Sequence, residues 1–580
     1  MRTRRLLGTC AALLCAAVAR GAAQDSVIVI RPGEPGDTLG AVGPPAEVVR
    51  ELLAIYNDTS TARLAGSFTL PVGARLQGPV ALFRGTLRVM GRIDGPVTVI
   101  NGDLLVGSAG VVAGQVLVVG GRVEVRPGGD IGESPRVYPA AAPLYRTGSG
   151  LLAIRERPRP LSEIAAARAS FQTGKIRTTL SLETGRTYNR VEGLPIVFGP
   201  TFTGNALPTL DARLDVRGIF RPAADRTNLR DDLGFLIQTE WRVGQSHWLA
   251  IGGRGYRVID AIEDQPLGRG EAGWSAFLFQ RDYRDHYEVR GQEAYASFAP
   301  VRRLHLRVSI RRDDERSVRA SDPVSLFRNS ETWRPNPLID DGHFQTVQLR
   351  LDWDTRNDLQ SPTSGWLVHG LVEHSSSDDA APVALPTAVR PQRAPGPYAF
   401  SKLWVDARRY ARFSPALRVN ARVVGGGWID GDPLSVQRRV SLGGPDILPG
   451  FDFRALNCAP AGFEDPALTA LCDRLLAVQL ELRTRIGLNL PFHITNRDFS
   501  TLERIIGIQQ ADLVVLGNSG TAWLSGDGPG RVPSDRIPVL REWKGDAGLG
   551  VDAGGLGIYL AKSFTDNVPL KLVLRLQRRF

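Results

Sequence analysis

The sequence predicts an all-β protein, an antiparallel transmembrane β-barrel of about sixteen strands behind a small N-terminal β-solenoid-like domain. Three observations carry this. The chain opens on an export signal. Residues 61–135 repeat short Val/Leu pairs between glycines. From about residue 166 onward, segment after segment alternates aliphatic with polar side chains.

The start reads MRTRRLLGTCAALLCAAVARGAAQDS. Arg2, Arg4 and Arg5 form a basic region, an apolar core runs from Leu6 to Ala19, and Gly21-Ala22-Ala23 suit cleavage, so residues 1–23 read as a signal peptide. The core is short for a membrane span, and no later apolar run reaches about 18 residues, which excludes an inner-membrane helix. Residues 24–60 read as a linker with one short helix, Pro45 to Tyr56, where Val48, Leu52 and Leu53 fall at helical spacing.

In residues 61–135 the pairs are Val80/Leu82, Leu87/Val89, Val97/Val99, Leu104/Val106, Val116/Val118 and Val123/Val125. Val80, Val97 and Val116 recur every 17–19 residues, as do Leu87, Leu104 and Val123. A parallel β-solenoid produces this pattern, each turn stacking its inward aliphatics on the next with glycines at the corners; an irregular β-sandwich is the alternative. The segment resembles the bactofilin-type polymer-forming β-helix, which implies self-association. Residues 136–165 read as a Pro/Ala/Arg-rich linker.

Residues 166–580 read as the barrel. Ile176, Thr178, Leu180 and Leu182 alternate with Arg177, Thr179, Ser181 and Glu183; Leu304 to Arg311, Val347 to Asp354, Leu417 to Val423 and Leu476 to Arg483 do the same. Period-two alternation gives a strand one aliphatic and one charged face. A half-buried soluble sheet also alternates. Export, strand lengths near those needed to cross a bilayer, and ten tryptophans all at or beyond Trp241 favour the membrane. Connections 314–343, 376–399, 429–474 and 518–542 are long, as outside the cell, and those near 223–230, 299–302 and 412–415 are short, as in the periplasm. The stretch 488–507 is longer than this rule prefers.

The net charge of +11 and pI near 9.8 come from arginines spread through strands and partly offset by acids, not from a dense basic block, so nucleic acid is not the expected partner. Of four cysteines, Cys10 and Cys15 fall in the signal peptide. Cys458 and Cys472 read as a loop-closing disulfide rather than a metal site, because no His-rich or C-x-x-C pattern accompanies them.

Four places resemble the bacterial surface antigen family, the BamA/TamA-type outer-membrane assembly-factor superfamily. Asp354-Thr355-Arg356, with Pro362 and Gly365 shaping a turn, is similar to the family's strand-end hairpin. Gly443, Gly444, Leu448, Pro449, Gly450 and Phe451 resemble the loop that in relatives folds into the barrel lumen. Pro449 stands where the family has an arginine, so the usual arginine-to-acid contact cannot form there, and Arg454 is the candidate substitute. Glu481 and Arg483 match the strand after this loop, and Glu481 is a candidate partner for a basic residue of the loop. Leu570, Leu572, Leu574 and Leu576 alternate up to Phe580, a terminal aromatic that resembles the signal read by the barrel-assembly machinery. No pattern of the family's periplasmic domains precedes the barrel; the solenoid stands in that place.

No G-x-S-x-G elbow, H-E-x-x-H motif or Walker loop occurs, and His305 and His369 are lone residues in strands. The expectation is a protein without catalysis or cofactor, in the bacterial outer membrane with its N-terminal domain in the periplasm. It would contact lipid, the assembly machinery during biogenesis and, through the solenoid, its own copies. Its expected role is outer-membrane assembly or protein insertion and translocation; the alternatives are an anchor for the solenoid or a plugged pore.

Overall fold

A computed structural model describes residues 28–30 and 44–579, apart from 139–140, 143, 148–149, 155–166, 184–186, 208–209, 224–232, 244–248, 264–266, 302, 328–331, 358–361, 415–416, 488–509 and 554–555. The signal peptide, the 488–509 connection and Phe580 therefore lie outside the described residues. The chain divides into two compact units, one mainly 41–157 and one mainly 158–580.

The first unit is a three-faced parallel β-solenoid. Ala62–Ala65, Val80–Phe83, Val97–Ile100, Val116–Val119 and Arg136–Tyr138 stack into one face. Phe68–Leu70, Thr86–Val89, Asp103–Val106 and Val123–Val125 form the second, and four two-residue strands from Arg75–Leu76 to Asp130–Ile131 form the third. The register sets Val80 beside Val97 and Val97 beside Val116, so the repeat in the sequence is the stacking repeat of the fold. Leu82, Leu87, Val99, Leu104, Val118 and Val123 are fully buried, and each such side chain contributes about 1.5–3 kcal/mol. Successive turns touch at their corners: a Cβ at Gly95 would collide with the carbonyl of Gly78 in the turn before.

Helix Ala46–Asn57 lays Val48, Val49, Leu52 and Tyr56 over the outer side of the first face, on Phe83, Ile100, Leu117 and Val119. Leu144 and Leu152 of the hairpin Leu144–Arg146/Leu152–Ile154 complete this second core. The stretches read as linkers are thus partly structured. Ile28–Ile30 pairs antiparallel with Val123–Val125, and Arg136–Tyr138 extends the solenoid.

The second unit is an antiparallel sheet of seventeen strands in sequence order, from Ala167–Thr173 to Lys571–Arg575. One strand more than about sixteen is present: Ala167–Thr173 pairs with Ile176–Glu183 through a tight turn at Gly174. Central strands are long, with Gly396–Arg412 spanning 17 residues. Antiparallel order sends connections 184–195, 221–232, 262–285, 318–341, 381–395, 432–473, 524–543 and 564–570 to one rim. The turn 174–175 lies at the other, as do the strand ends Leu207 and Leu210, Val243 and Leu249, Val301 and Leu304, Asp354 and Gly365, Arg412 and Leu417, and Ala553 and Leu556.

The 223–230 connection lies, but for Ala223, outside the described residues, and its flanking strand ends, Phe220 and Leu233, stand at the long-loop rim, which corrects its expected placement. Three strands, Leu233–Val243, Leu249–Ala261 and His286–Val301, lie between that connection and Leu304, which puts it at the opposite rim from Val301 and Leu304.

Candidate functional site

Along Arg474–Gly487, Leu475, Ala477, Gln479, Glu481 and Arg483 are buried while Val478, Leu480 and Leu482 are exposed. The same outward aliphatic exposure recurs at Leu180, Ile237, Ile251, Val308, Leu349, Val372, Val515 and Ile558 across the sheet. An apolar outer surface with charges on the inner one is the face distribution of a sheet solvated by lipid outside.

The inner side is filled by the 432–473 connection. Its short helical turn, Val436–Arg438, presents Arg438 to two strands at once: Nη2 donates to Glu315 at 2.7 Å and Nε to Glu373 at 2.7 Å. Gln437 donates to Glu315 at 2.8 Å. Arg439 turns the other way, donating to the Leu471 carbonyl at 2.6 Å and pairing with Asp473 at 2.9 Å. Val440, Leu442, Ile447, Leu448 and Phe451 then pack on Trp404, Val424, Leu475 and Ala477 of the wall. Asp446 pairs with Arg422 at 2.9 Å and with Arg575 of the last strand at 3.4 Å, and Gln479 donates to its carbonyl at 2.8 Å. The loop therefore contacts inward residues on strands far apart in the sheet and occupies the barrel interior.

Two glycines are required here. The Gly450 N–H donates to Asp546 at 2.7 Å, and a Cβ on Gly450 would lie 2.7 Å from the Asp546 Cβ and 2.9 Å from the Ser563 nitrogen, closer than real side chains approach. Gly444 holds a φ of +103° at the turn that brings Leu448 back beside it. Pro449 is buried and supplies no donor.

Arg454 instead donates to Glu263 at 2.9 Å and to Asp285, both in the 262–285 connection. Arg190 joins the same cluster, paired with Asp285 at 2.7 Å and Asp282 at 3.1 Å, and Arg334 reaches Asp285 at 2.6 Å. Burial opposes ionisation of Asp285, but the guanidiniums of Arg334, Arg454 and Arg190 outweigh it and hold its carboxyl well below the usual carboxylate range. Buried ion pairs of this kind add little net stability but make displacement costly, since removing one partner strands the other.

Of the residues singled out in the sequence, Gly443, Gly444, Leu448, Pro449, Gly450 and Phe451 sit together in the inserted loop. Cys458 and Cys472 are disulfide-bonded where that loop returns to the wall. Asp354 and Arg356 pair at 2.7 Å at the short-loop rim, where the Thr355 N–H donates to the Trp366 carbonyl at 2.8 Å. Pro362 is buried there, and Gly365 has a φ of +110°. Glu481 and Arg483 face inward and pair at 2.8 Å. Glu481 is not the partner of a basic loop residue: its second cation is Arg579, at 3.4 Å, and Arg483 turns to Asp552 at 2.8 Å. Two of the loop's arginines reach elsewhere, Arg438 to strands earlier in the sheet and Arg454 to the 262–285 connection, while its apolar side chains and Asp446 take the flanking strands. Sequence reasoning missed Arg438, Glu315 and Glu373. Their only sequence signal is charge at alternating strand positions, which marks a face but names no partner.

These features define a membrane-type β-barrel whose interior is occupied by its own connection. No family model and no curated protein matches the sequence. Among solved structures, the chain is similar to BamA from Haemophilus ducreyi lacking POTRA domains 1–3, at 11% identity and a TM-score of 0.39, over 71% of this chain and 74% of that one. It is also similar to CdiB from Acinetobacter baumannii, at 12% identity and TM-score 0.28 over 71% and 64%, and to Pseudomonas aeruginosa OccK5, at 9% and 0.28 over 71% and 88%. Likenesses at this level define neither family nor role.

Proposed function

We propose that this protein is an outer-membrane barrel of the assembly-factor type, acting in membrane assembly or in the insertion or translocation of polypeptides, with its solenoid in the periplasm. The observation that carries the reading is the 432–473 connection folded inside the barrel and pinned by Arg438, Asp446 and Gly450. A lumen filled this way is poorly suited to free diffusion of solutes. It suits a barrel whose interior segment sets the state of the wall, and the resemblance of the 443–451 segment to the assembly-factor loop points the same way. The reading requires no cofactor and no reaction chemistry; the barrel works through its conformation and its contact with lipid.

Depletion followed by quantitative outer-membrane proteomics tests it. The expected result is a fall in other β-barrel proteins; unchanged levels sink the assembly role. A second reading, an anchor for a self-associating solenoid, is favoured by the stacked core of that unit, whose first turn leaves Leu64, Phe68 and Leu76 only partly buried at its end. Cross-linking in intact cells separates the two: ladders of solenoid-linked copies with normal barrel levels support the anchor.

A further inference from the structure

Ala167–Thr173 and Lys571–Arg575 are the two edges of the sheet, and among the described residues no ladder joins them. The described side chains of Ala167–Thr173 are exposed on both faces. Helix Arg269–Phe279, from a connection several strands away from either edge, touches the last strand on one side and, on the other, the 184–195 connection that follows the second strand. Toward the last strand, Glu271 accepts from Arg575 Nε at 2.8 Å and from the Leu576 backbone N–H at 2.8 Å. A Cβ on Gly268, just before the helix, would lie 2.5 Å from the Gln577 side chain. Toward the first strands, Gly273 lies against the 184–195 connection: a Cβ there would be 3.0 Å from the Thr187 Cβ and 3.1 Å from the Tyr188 nitrogen. The Tyr188 ring meets Phe277 edge-on at 5.3 Å.

Glu271 and Arg575 are 4% and 2% exposed, so the pair is shielded from water and strict in position. Arg575 also donates to the Pro445 carbonyl at 3.2 Å and pairs with Asp446 at 3.4 Å. One guanidinium thus binds the strap helix and the inserted loop together.

We propose that helix Arg269–Phe279 is a strap across the gap between the edge strands, fastened by Glu271–Arg575, and that releasing this pair frees the last strand and the inserted loop together. The inference rests on the plugged-barrel reading and is independent of any assembly role. A continuous ladder spreads its energy over many backbone bonds; a strap concentrates it in a few side chains, so one substitution can undo it.

The test uses the full-length protein in phosphatidylcholine liposomes, with Glu271→Gln and with a Gly268→Cys/Gln577→Cys pair that can be oxidised across the fastening. Glu271→Gln is expected to raise ion conductance at least about tenfold, because it strands Arg575, which also holds the inserted loop at Pro445 and Asp446. The oxidised cysteine pair in that background should return conductance to the parental level, and reduction should raise it again. The unaltered protein under the same reductant controls for Cys458–Cys472. Parental conductance in Glu271→Gln, or raised conductance that oxidation leaves untouched, would overturn the proposal. Should Glu271→Gln not fold, the cysteine pair alone decides. Oxidation must then raise the temperature at which the barrel loses its compact form on a detergent gel, and equal temperatures for both forms, or no disulfide, refute the strap. A parent protein that already conducts as a wide pore defeats the plugged-barrel reading instead, and the gel measurement still reports on the strap.

Discussion

Val99 in the solenoid and Leu480 in the barrel wall are both aliphatic residues of alternating strands, yet Val99 is fully buried and Leu480 is 46% exposed. The solenoid turns its aliphatic side inward and stacks it turn on turn. The barrel turns the same kind of side outward and keeps Arg422, Glu315, Glu373 and Arg483 inside. Period two has the same local meaning in both units; what differs is the surrounding solvent. A water-solvated sheet buries its apolar face against itself, whereas a lipid-solvated sheet can turn that face outward and line its interior with paired charge beside the apolar contacts of the inserted loop.

The largest expected effect comes from treating the solenoid like the barrel. Val99→Arg places an unpaired charge among Val80, Leu82 and Val118 and should unfold that unit. Limited proteolysis of the full chain should then cleave within 61–138 while the barrel stays intact; a protease-resistant solenoid would break the comparison.

Next in size is Arg438→Met, which leaves Glu315 buried without its cation and Glu373 with only the longer Arg311 pair at 3.9 Å, and should cost about 3–5 kcal/mol. The readout is a lower temperature for loss of the compact form on detergent gels, and an unchanged temperature would mean the loop is not pinned there.

Leu480→Arg reverses the outward face and should cost about 2–4 kcal/mol or less, depending on its depth in the bilayer. Guanidinium titration of the protein folded in liposomes measures it. A neutral result would argue that this face meets water.

The smallest effect concerns pH. The Asp285 carboxyl is depressed in the folded state, so its contribution to stability is present above the unfolded value, about 4, and is lost only as pH falls through the lower folded value. The part of the thermal stability that Asp285→Asn removes should therefore hold from pH 7 to 5 and fade only in stronger acid. Loss of that part already between pH 6 and 5 would contradict the Arg190–Arg334–Arg454 cluster.

Much of the architecture was legible from the chain. The 17–19-residue spacing of Val80, Val97 and Val116 is the register of the solenoid, and the alternation in 474–487 is the inward and outward faces of a barrel strand. Less legible was whatever depends on counting strands or matching charges. The connection near 223–230 reads as a short periplasmic turn, whereas the strand order puts its flanking ends, Phe220 and Leu233, at the long-loop rim. Glu481 looked suited to the inserted loop and instead pairs with Arg483 and Arg579.

Alternation and repeat spacing are local, so the sequence by itself determined a solenoid followed by a many-stranded barrel with aliphatic and charged faces. Only the tertiary structure decided which charges meet. Arg438 and Glu315 lie 123 residues apart, and their pairing depends on how the sheet curves around the 432–473 connection, which no local period encodes. The same holds for the gap between the edge strands: nothing in the pattern of 571–575 announces that Arg575 will be held by a helix about 300 residues earlier, because that contact exists only once the sheet has bent back on itself.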